Sequence, residues 1–221
     1  MSDRPESGAL AFDAALQAVP VIPVIVLQRS ADAVPVADAL IEGGIPIFEI
    51  TLRTEAGLPS IEEVAKKFPD ALTGAGTVLN ESQARQAIDA GSRFIVSPGW
   101  DEGVIEIAQA AGIPVVPGVA TAGEAQRAYN HGLRLLKLFP AGIAGGIPML
   151  KALSSVFSEI GFVPTGGVSA KNLADFLAVP NVRAVGGSWL TPAKAIADGH
   201  FEEITRLSVE ALKIVFRAET R

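Results

Sequence analysis

Short apolar runs rich in β-branched residues recur along the chain, each closing on small or turn-forming residues. They occupy positions 21–27, 46–51, 71–76, 94–97, 114–117, 135–139, 162–165 and 184–187, with centres that follow one another at steps of 20 to 27 residues. Between them, segments 31–42, 60–68, 81–90, 101–111 and 122–131 carry Ala, Leu, Ile and Val at three-and-four spacing, with charged residues on the opposite side. That periodicity predicts amphipathic helices, and the runs predict strands. Glycine follows several of the helical segments, at Gly43-Gly44, Gly91, Gly112 and Gly132, as expected of helix C-termini.

Eight strands alternating with helices, most of them apolar on both faces, indicate a parallel sheet covered by helices. Eight is also the number that closes a (β/α)8 barrel, the expected architecture. The competing layout is an open doubly wound sheet, which usually has fewer strands at wider spacing. An amphipathic piece at 12–19 precedes the first strand and would cap the barrel's N-terminal end, and 201–218 would be the closing helix. No low-complexity tract or linker interrupts the pattern, so residues 1–221 read as one compact domain.

Composition narrows the function classes. A hydrophobic share of 49% is incompatible with a disordered chain. The formal net charge is -6 and no basic run is present, which argues against a nucleic-acid partner. The start, Met-Ser-Asp-Arg-Pro-Glu-Ser-Gly, lacks the layout of a signal peptide. The longest apolar stretch, 18–27, is too short to cross a bilayer. The expectation is a cytoplasmic protein without membrane attachment. There is no cysteine, which excludes disulfides, thiolate metal sites and cysteine nucleophiles.

In a barrel, function belongs at the C-terminal ends of the strands. Lys137 lies there, inside Leu135-Leu-Lys-Leu-Phe139. A neutral amine can attack a ketone to form an imine, and the protonated imine is an electron sink for carbon–carbon cleavage. The alternative is a lysine that snorkels or sits on an edge strand, but a closed barrel has no edge. In Phe48-Glu49-Ile50-Thr51-Leu52-Arg53, alternation puts Glu49, Thr51 and Arg53 on one face. A proton-transfer role for Glu49 and a carboxylate-binding role for Arg53 fit this layout. So does an ion pair of Glu49 with Arg53 or with Lys137. Two glycine pairs, Gly166-Gly167 and Gly186-Gly187, end the seventh and eighth strands, where barrels often bind phosphate through backbone N–H groups. The two histidines, His131 and His200, sit at a helix end and in a turn, so no metal site is expected. Asp101 and Glu102 most simply start a helix. A Gly-x-Gly-x-x-Gly dinucleotide fingerprint is absent after the first strand.

Taken together, Glu49-Ile-Thr-Leu-Arg-Thr54, Gly74-Ala-Gly-Thr-Val-Leu-Asn80, Ser97-Pro-Gly99, Lys137-Leu-Phe-Pro-Ala141, Pro164-Thr-Gly-Gly167 and Gly186-Gly-Ser-Trp-Leu190 resemble the 2-keto-3-deoxy-6-phosphogluconate aldolases. These are class I, Schiff-base enzymes of the Entner–Doudoroff pathway, many of which also cleave 4-hydroxy-2-oxoglutarate. The resemblance implies that Lys137 is the Schiff-base lysine and Glu49 the acid/base. It implies that Arg53 and Thr77 hold the carboxylate of the pyruvate half, and that Pro98, Phe139 and Thr165 line the pocket. Gly166, Gly167, Gly187 and Ser188 would cradle the phosphate. It further implies small 2-keto acid and phosphorylated aldehyde substrates, no cofactor or metal, and a homotrimer. One departure is the loop Ala141-Gly-Ile-Ala-Gly-Gly146, less polar than the family pattern leads one to expect. Rival readings are a barrel isomerase or epimerase acting on a sugar phosphate without a covalent intermediate, and a non-catalytic scaffold.

Overall fold

The computed structural model describes residues 4–219, with side chains for 8–217. Part of the leader expectation falls on residues 1–3, outside the described residues. The chain opens with helix α1 (Arg4–Ala18) and then alternates strand and helix. The first half comprises β1 (Val21–Ile25), α2 (Ala33–Glu42), β2 (Ile47–Thr51), α3 (Gly57–Lys67), β3 (Leu72–Gly76), α4 (Glu81–Asp89), β4 (Ile95–Val96) and α5 (Glu102–Ala110). Then come β5 (Val115–Val116), β6 (Gly118–Val119), α6 (Ala122–Asn130), β7 (Leu135–Leu138), α7 (Gly146–Val156) and β8 (Gly161–Pro164). The chain ends with α8 (Leu173–Leu177), β9 (Val185–Gly187), α9 (Ala193–Asp198) and α10 (Phe201–Glu219).

The fold is α/β, built on a curled parallel sheet of six strands in the order β5-β4-β3-β2-β1-β9. A second parallel sheet runs β6-β7-β8. The run expected at 114–117 holds β5 and stops at Pro117, and a second short strand, β6, begins just after it. Proline has no N–H to give to a ladder and interrupts it there. Its carbonyl still accepts the Lys137 N–H at 2.9 Å. At the other seam, isolated parallel bridges join Phe162 to Val182 and Thr165 to Gly186. Helices α7, α8 and α9 were not foreseen. The start of α7 is Gly145-Gly146-Ile-Pro148, which masks a helix by its composition, and α8 and α9 span only 5 and 6 residues.

The expected helix-end glycines are present, and a capping box adds to them. The helix-stopping glycines Gly91 and Gly132 take left-handed backbone conformations (φ 97° and 80°). Thr121 and Glu124 form a capping box on α6. The N–H of Ala120 donating to Glu124 at 2.7 Å, joined by Thr121, holds that carboxyl below its usual range.

Helix α1 closes the end opposite the candidate site. Phe12 is buried and meets the Phe94 ring at 4.7 Å between centroids. Phe12 and Leu16 also form one wall of a cavity of about 460 Å³ against the starts of β5, β7 and β8. Phe12→Ala is expected to destabilise the fold by about 3 kcal/mol. That is the lower end of the range for truncating a buried phenylalanine. Urea denaturation of the two proteins measures it. At the chain's other end, α10 packs on α2, where the Thr205 hydroxyl donates to the Ala39 carbonyl at 3.1 Å.

Candidate active site

The strands deliver two ionisable side chains to one place. Lys137 on β7 and Glu49 on β2 are each only 2% exposed, and Lys137 Nζ lies 3.4 Å from Glu49 Oε1. β2 belongs to the six-stranded sheet and β7 to the three-stranded one, so the pair spans the space the two sheets enclose. The Lys137 Nζ also stands 5.1 Å from the centroid of the Phe139 ring, within cation–π range. An isolated charge in such surroundings would be costly, and each of these two relieves the other. Of the ion pairs that strand parity left open for Glu49, the structure holds the one with Lys137.

Arg53 lies in the turn after β2, on the exposed rim. Its Nε donates to Thr77 Oγ1 at 3.2 Å, and among the described residues its terminal nitrogens have no partner. Thr77 has φ 58°, the left-handed region, which is a genuine outlier for a β-branched residue. Strain of this kind costs about 1–3 kcal/mol and gathers at functional sites. Two threonines that sequence reasoning passed over anchor the end of β2. The Thr51 hydroxyl donates to the Ile25 carbonyl at 2.9 Å, and that of Thr54 to the Leu27 carbonyl. The only signal for them was threonine placed where a strand gives way to a turn.

The expected pocket residues border the same end. Pro98 is half-buried, with its carbonyl packed against Gly118 of β6. Phe139 stands two residues after Lys137, and the Phe139–Pro140 peptide is cis. The chain after it runs beside Thr165 and Gly166, whose carbonyls accept the N–H groups of Ala141 and Gly142, both at 2.8 Å. Thr165 is buried and bridges to Gly186. Gly166 and Gly167 have φ of 89° and 85°, and the Gly167 carbonyl accepts from the Asn172 side-chain amide at 2.9 Å. The N–H groups of Gly167 and Ser188 meet no backbone acceptor among the described residues. Gly187 ends β9 under the Trp189 ring, and Ser188 is exposed. The apolar loop 141–146 carries Ile143 at 89% exposure.

Other candidates lie elsewhere. Asp101 caps α5, its carboxylate accepting the Val104 N–H at 2.8 Å. His131 ends α6, with Nε2 3.1 Å from Glu102 Oε1 and Nδ1 2.8 Å from the Arg127 carbonyl. No cluster of three or more His, Cys, Asp or Glu able to hold a metal ion occurs among the described residues. None of their helices is long and apolar enough to cross a membrane.

A buried amine beside a carboxylate, enclosed by parallel strands of an α/β fold, is an arrangement that suits the class of lysine-dependent aldolases. The family model described as KDPG and KHG aldolase matches residues 12–207, and the chain belongs to that family. The 2-dehydro-3-deoxy-phosphogluconate aldolase of Treponema pallidum is 46% identical over 201 residues, covering 91% of this chain and 96% of that one. The KHG/KDPG aldolase of Escherichia coli is 43% identical over 194 residues, covering 88% and 91%. Among solved structures, the KDPG aldolase of Legionella pneumophila, with pyruvate captured at low pH as a covalent carbinolamine intermediate, superposes with a TM-score of 0.87. It is 44% identical, over 90% of this chain and 97% of that one.

Proposed function

We propose that this protein is a class I aldolase that reversibly cleaves 2-keto-3-deoxy-6-phosphogluconate to pyruvate and glyceraldehyde 3-phosphate, with 4-hydroxy-2-oxoglutarate as a second substrate giving pyruvate and glyoxylate. The observation that carries the reading is the buried pair, Lys137 Nζ 3.4 Å from Glu49 Oε1. The covalent pyruvate adduct of the Legionella enzyme and the dual name of the Escherichia coli relative support it.

In the proposed mechanism, Lys137 Nζ attacks C2 of the substrate and forms a carbinolamine. Glu49 delivers the proton with which the C2 hydroxyl leaves as water, giving the iminium. Glu49, directly or through a water, then takes the proton of the C4 hydroxyl. The C3–C4 bond breaks, and its electron pair moves onto the iminium to leave an enamine and the free aldehyde. Protonation at C3 and attack by water release pyruvate and restore the lysine. Arg53 binds the substrate carboxylate through the terminal nitrogens that Thr77 leaves free, the geometry arginine uses best. Pro98, Phe139 and Thr165 wall the pocket. The backbone N–H groups of Gly166, Gly167 and Ser188 receive the phosphate, with Gly187 giving backbone access. Carbonyl activation by the lysine takes the place of a metal or organic cofactor.

The two sheets close into one (β/α)8 barrel in this reading. The Pro117 carbonyl bonding to Lys137 and the Phe162–Val182 and Thr165–Gly186 bridges support closure at the two seams. Residues 1–221 form a single domain, which assembles as a homotrimer in the cytoplasm. Sedimentation at equilibrium gives the assembly mass directly. The activity is tested by incubating the protein with pyruvate, reducing with borohydride and mapping the adduct by peptide mass spectrometry. A stable adduct on the Lys137 peptide is expected, and an unmodified Lys137 in folded protein would sink the proposal.

A further inference from the structure

β2 and β3 pair in parallel with Glu49 opposite Gly74 and Thr51 opposite Gly76. Gly76 sits in the regular part of β3 and is not among the glycines with positive φ. Its backbone is one that any residue adopts, so torsion does not explain why a glycine stands there. A glycine inside a strand is itself a cost, because it gives up more conformational freedom on folding than any other residue. Space explains it. A Cβ built on Gly76 would lie 2.1 Å from Glu49 Oε1, 2.4 Å from its Cγ and 2.5 Å from its Cδ, where real Cβ contacts essentially never fall below 3.0 Å. All three nearest atoms belong to Glu49. The volume left by the missing side chain is occupied by this carboxylate.

The oxygen that an added methyl would strike first is Oε1, the same atom that lies 3.4 Å from Lys137 Nζ. Glu49 has no other hydrogen-bond partner among the described residues to hold it. Gly76 itself is fixed from behind, since its carbonyl accepts the Leu52 N–H at 2.8 Å. A clash would therefore be relieved by moving the carboxylate. A similar relation recurs at Gly186, where a Cβ would lie 2.2 Å from Thr165 Oγ1.

We infer that Gly76 is a positioning residue whose absent side chain seats the Glu49 carboxylate against Lys137. Its catalytic consequence rests on the proposed acid/base role of Glu49, whereas the seat itself can be tested apart from that role. Gly76→Ala removes no functional side chain and displaces one of them, Glu49. Turnover of 2-keto-3-deoxy-6-phosphogluconate is expected to fall on the order of 10²-fold, the scale of a misplacement of about 1 Å. The loss should appear in kcat, with KM close to that of the unmodified enzyme, since Arg53 and the glycine amides are untouched.

Stability provides the second measurement. Gly76→Ala is made alone and together with Glu49→Ala, and each protein is melted alongside its own parent. The substitution should lower the melting temperature in the presence of the Glu49 side chain, and have little effect once that side chain is gone. Should Gly76→Ala alone fail to fold, recovery of folding in the double variant supports the seat, and continued failure overturns it. An equal loss in both backgrounds also overturns it, as does unchanged turnover of folded Gly76→Ala when Glu49→Gln has lost activity. Glu49→Gln, assayed in parallel, isolates the acid/base reading. Full turnover there removes the catalytic role of Glu49, while the paired melts still decide whether Gly76 seats it.

Discussion

Lys137→Ala is expected to abolish turnover of 2-keto-3-deoxy-6-phosphogluconate and, with it, every borohydride-trapped adduct with pyruvate. The size of the effect follows from chemistry. Without Nζ there is no iminium to accept the C3–C4 electron pair, and no other amine lies in the described contacts of Glu49. Deletion of a covalent nucleophile that works with its partners as a unit costs on the order of 10⁶ in kcat. A loss in activity could also come from misfolding, because the substitution leaves Glu49, 2% exposed, without its counter-charge. Removing one member of a buried pair typically costs about 3–5 kcal/mol. The control is Lys137→Arg, which keeps a counter-charge for Glu49 but supplies no neutral amine. It should fold, keep the circular dichroism of the parent and remain without adduct. Appreciable cleavage by folded Lys137→Arg would show that the reaction does not pass through Lys137. The barrel isomerase reading, in which the lysine is only an electrostatic group, would then return.

Much of this site could be read from the chain because buried parallel strands appear as unbroken apolar runs. Against that background a charged residue stands out, and Lys137 and Glu49 were conspicuous for that reason alone. Strand parity placed Glu49, Thr51 and Arg53 on one face, yet it could not choose between Arg53 and Lys137 as the partner of Glu49. That choice depends on sheet curvature, which brings Glu49 Oε1 from β2 and Lys137 Nζ from β7 to 3.4 Å of each other across 88 residues of sequence. Arg53, past the end of β2, turns to Thr77 instead. Pro117 cut an expected strand short because hydropathy registers a side chain and not a missing N–H. The glycines were legible in part. Gly166 and Gly167 were noted as a pair, but their left-handed conformations follow from the turn they make and not from their spelling. Gly76 was invisible as a functional residue. Its significance lies in a side chain 27 positions earlier, and only strand register reveals that two such positions share one volume.

Glu49→Gln is expected to separate proton transfer from imine chemistry. Glutamine nearly matches glutamate in shape, so the seat over Gly76 stays filled and Lys137 keeps a polar neighbour. What disappears is a group able to carry a proton between the substrate and the lysine. Positioned acid/base catalysis is worth typically about 10²–10⁴ in rate, or roughly 3–5 kcal/mol at about 1.4 kcal/mol per tenfold. Because Glu49 assists both carbinolamine dehydration and C4 deprotonation in the proposed cycle, kcat should fall by that factor. The borohydride adduct on Lys137 should still form, only more slowly, since attack and dehydration can proceed with water as the proton carrier. The two measurements move apart only if the carboxylate and the amine have distinct roles. Parallel loss of adduct and turnover would mean that Glu49 serves chiefly to hold Lys137 in place. A kcat within a few-fold of the parent would mean that the proton travels by another route, with Thr165, buried and bridged to Gly186, the next side chain to test.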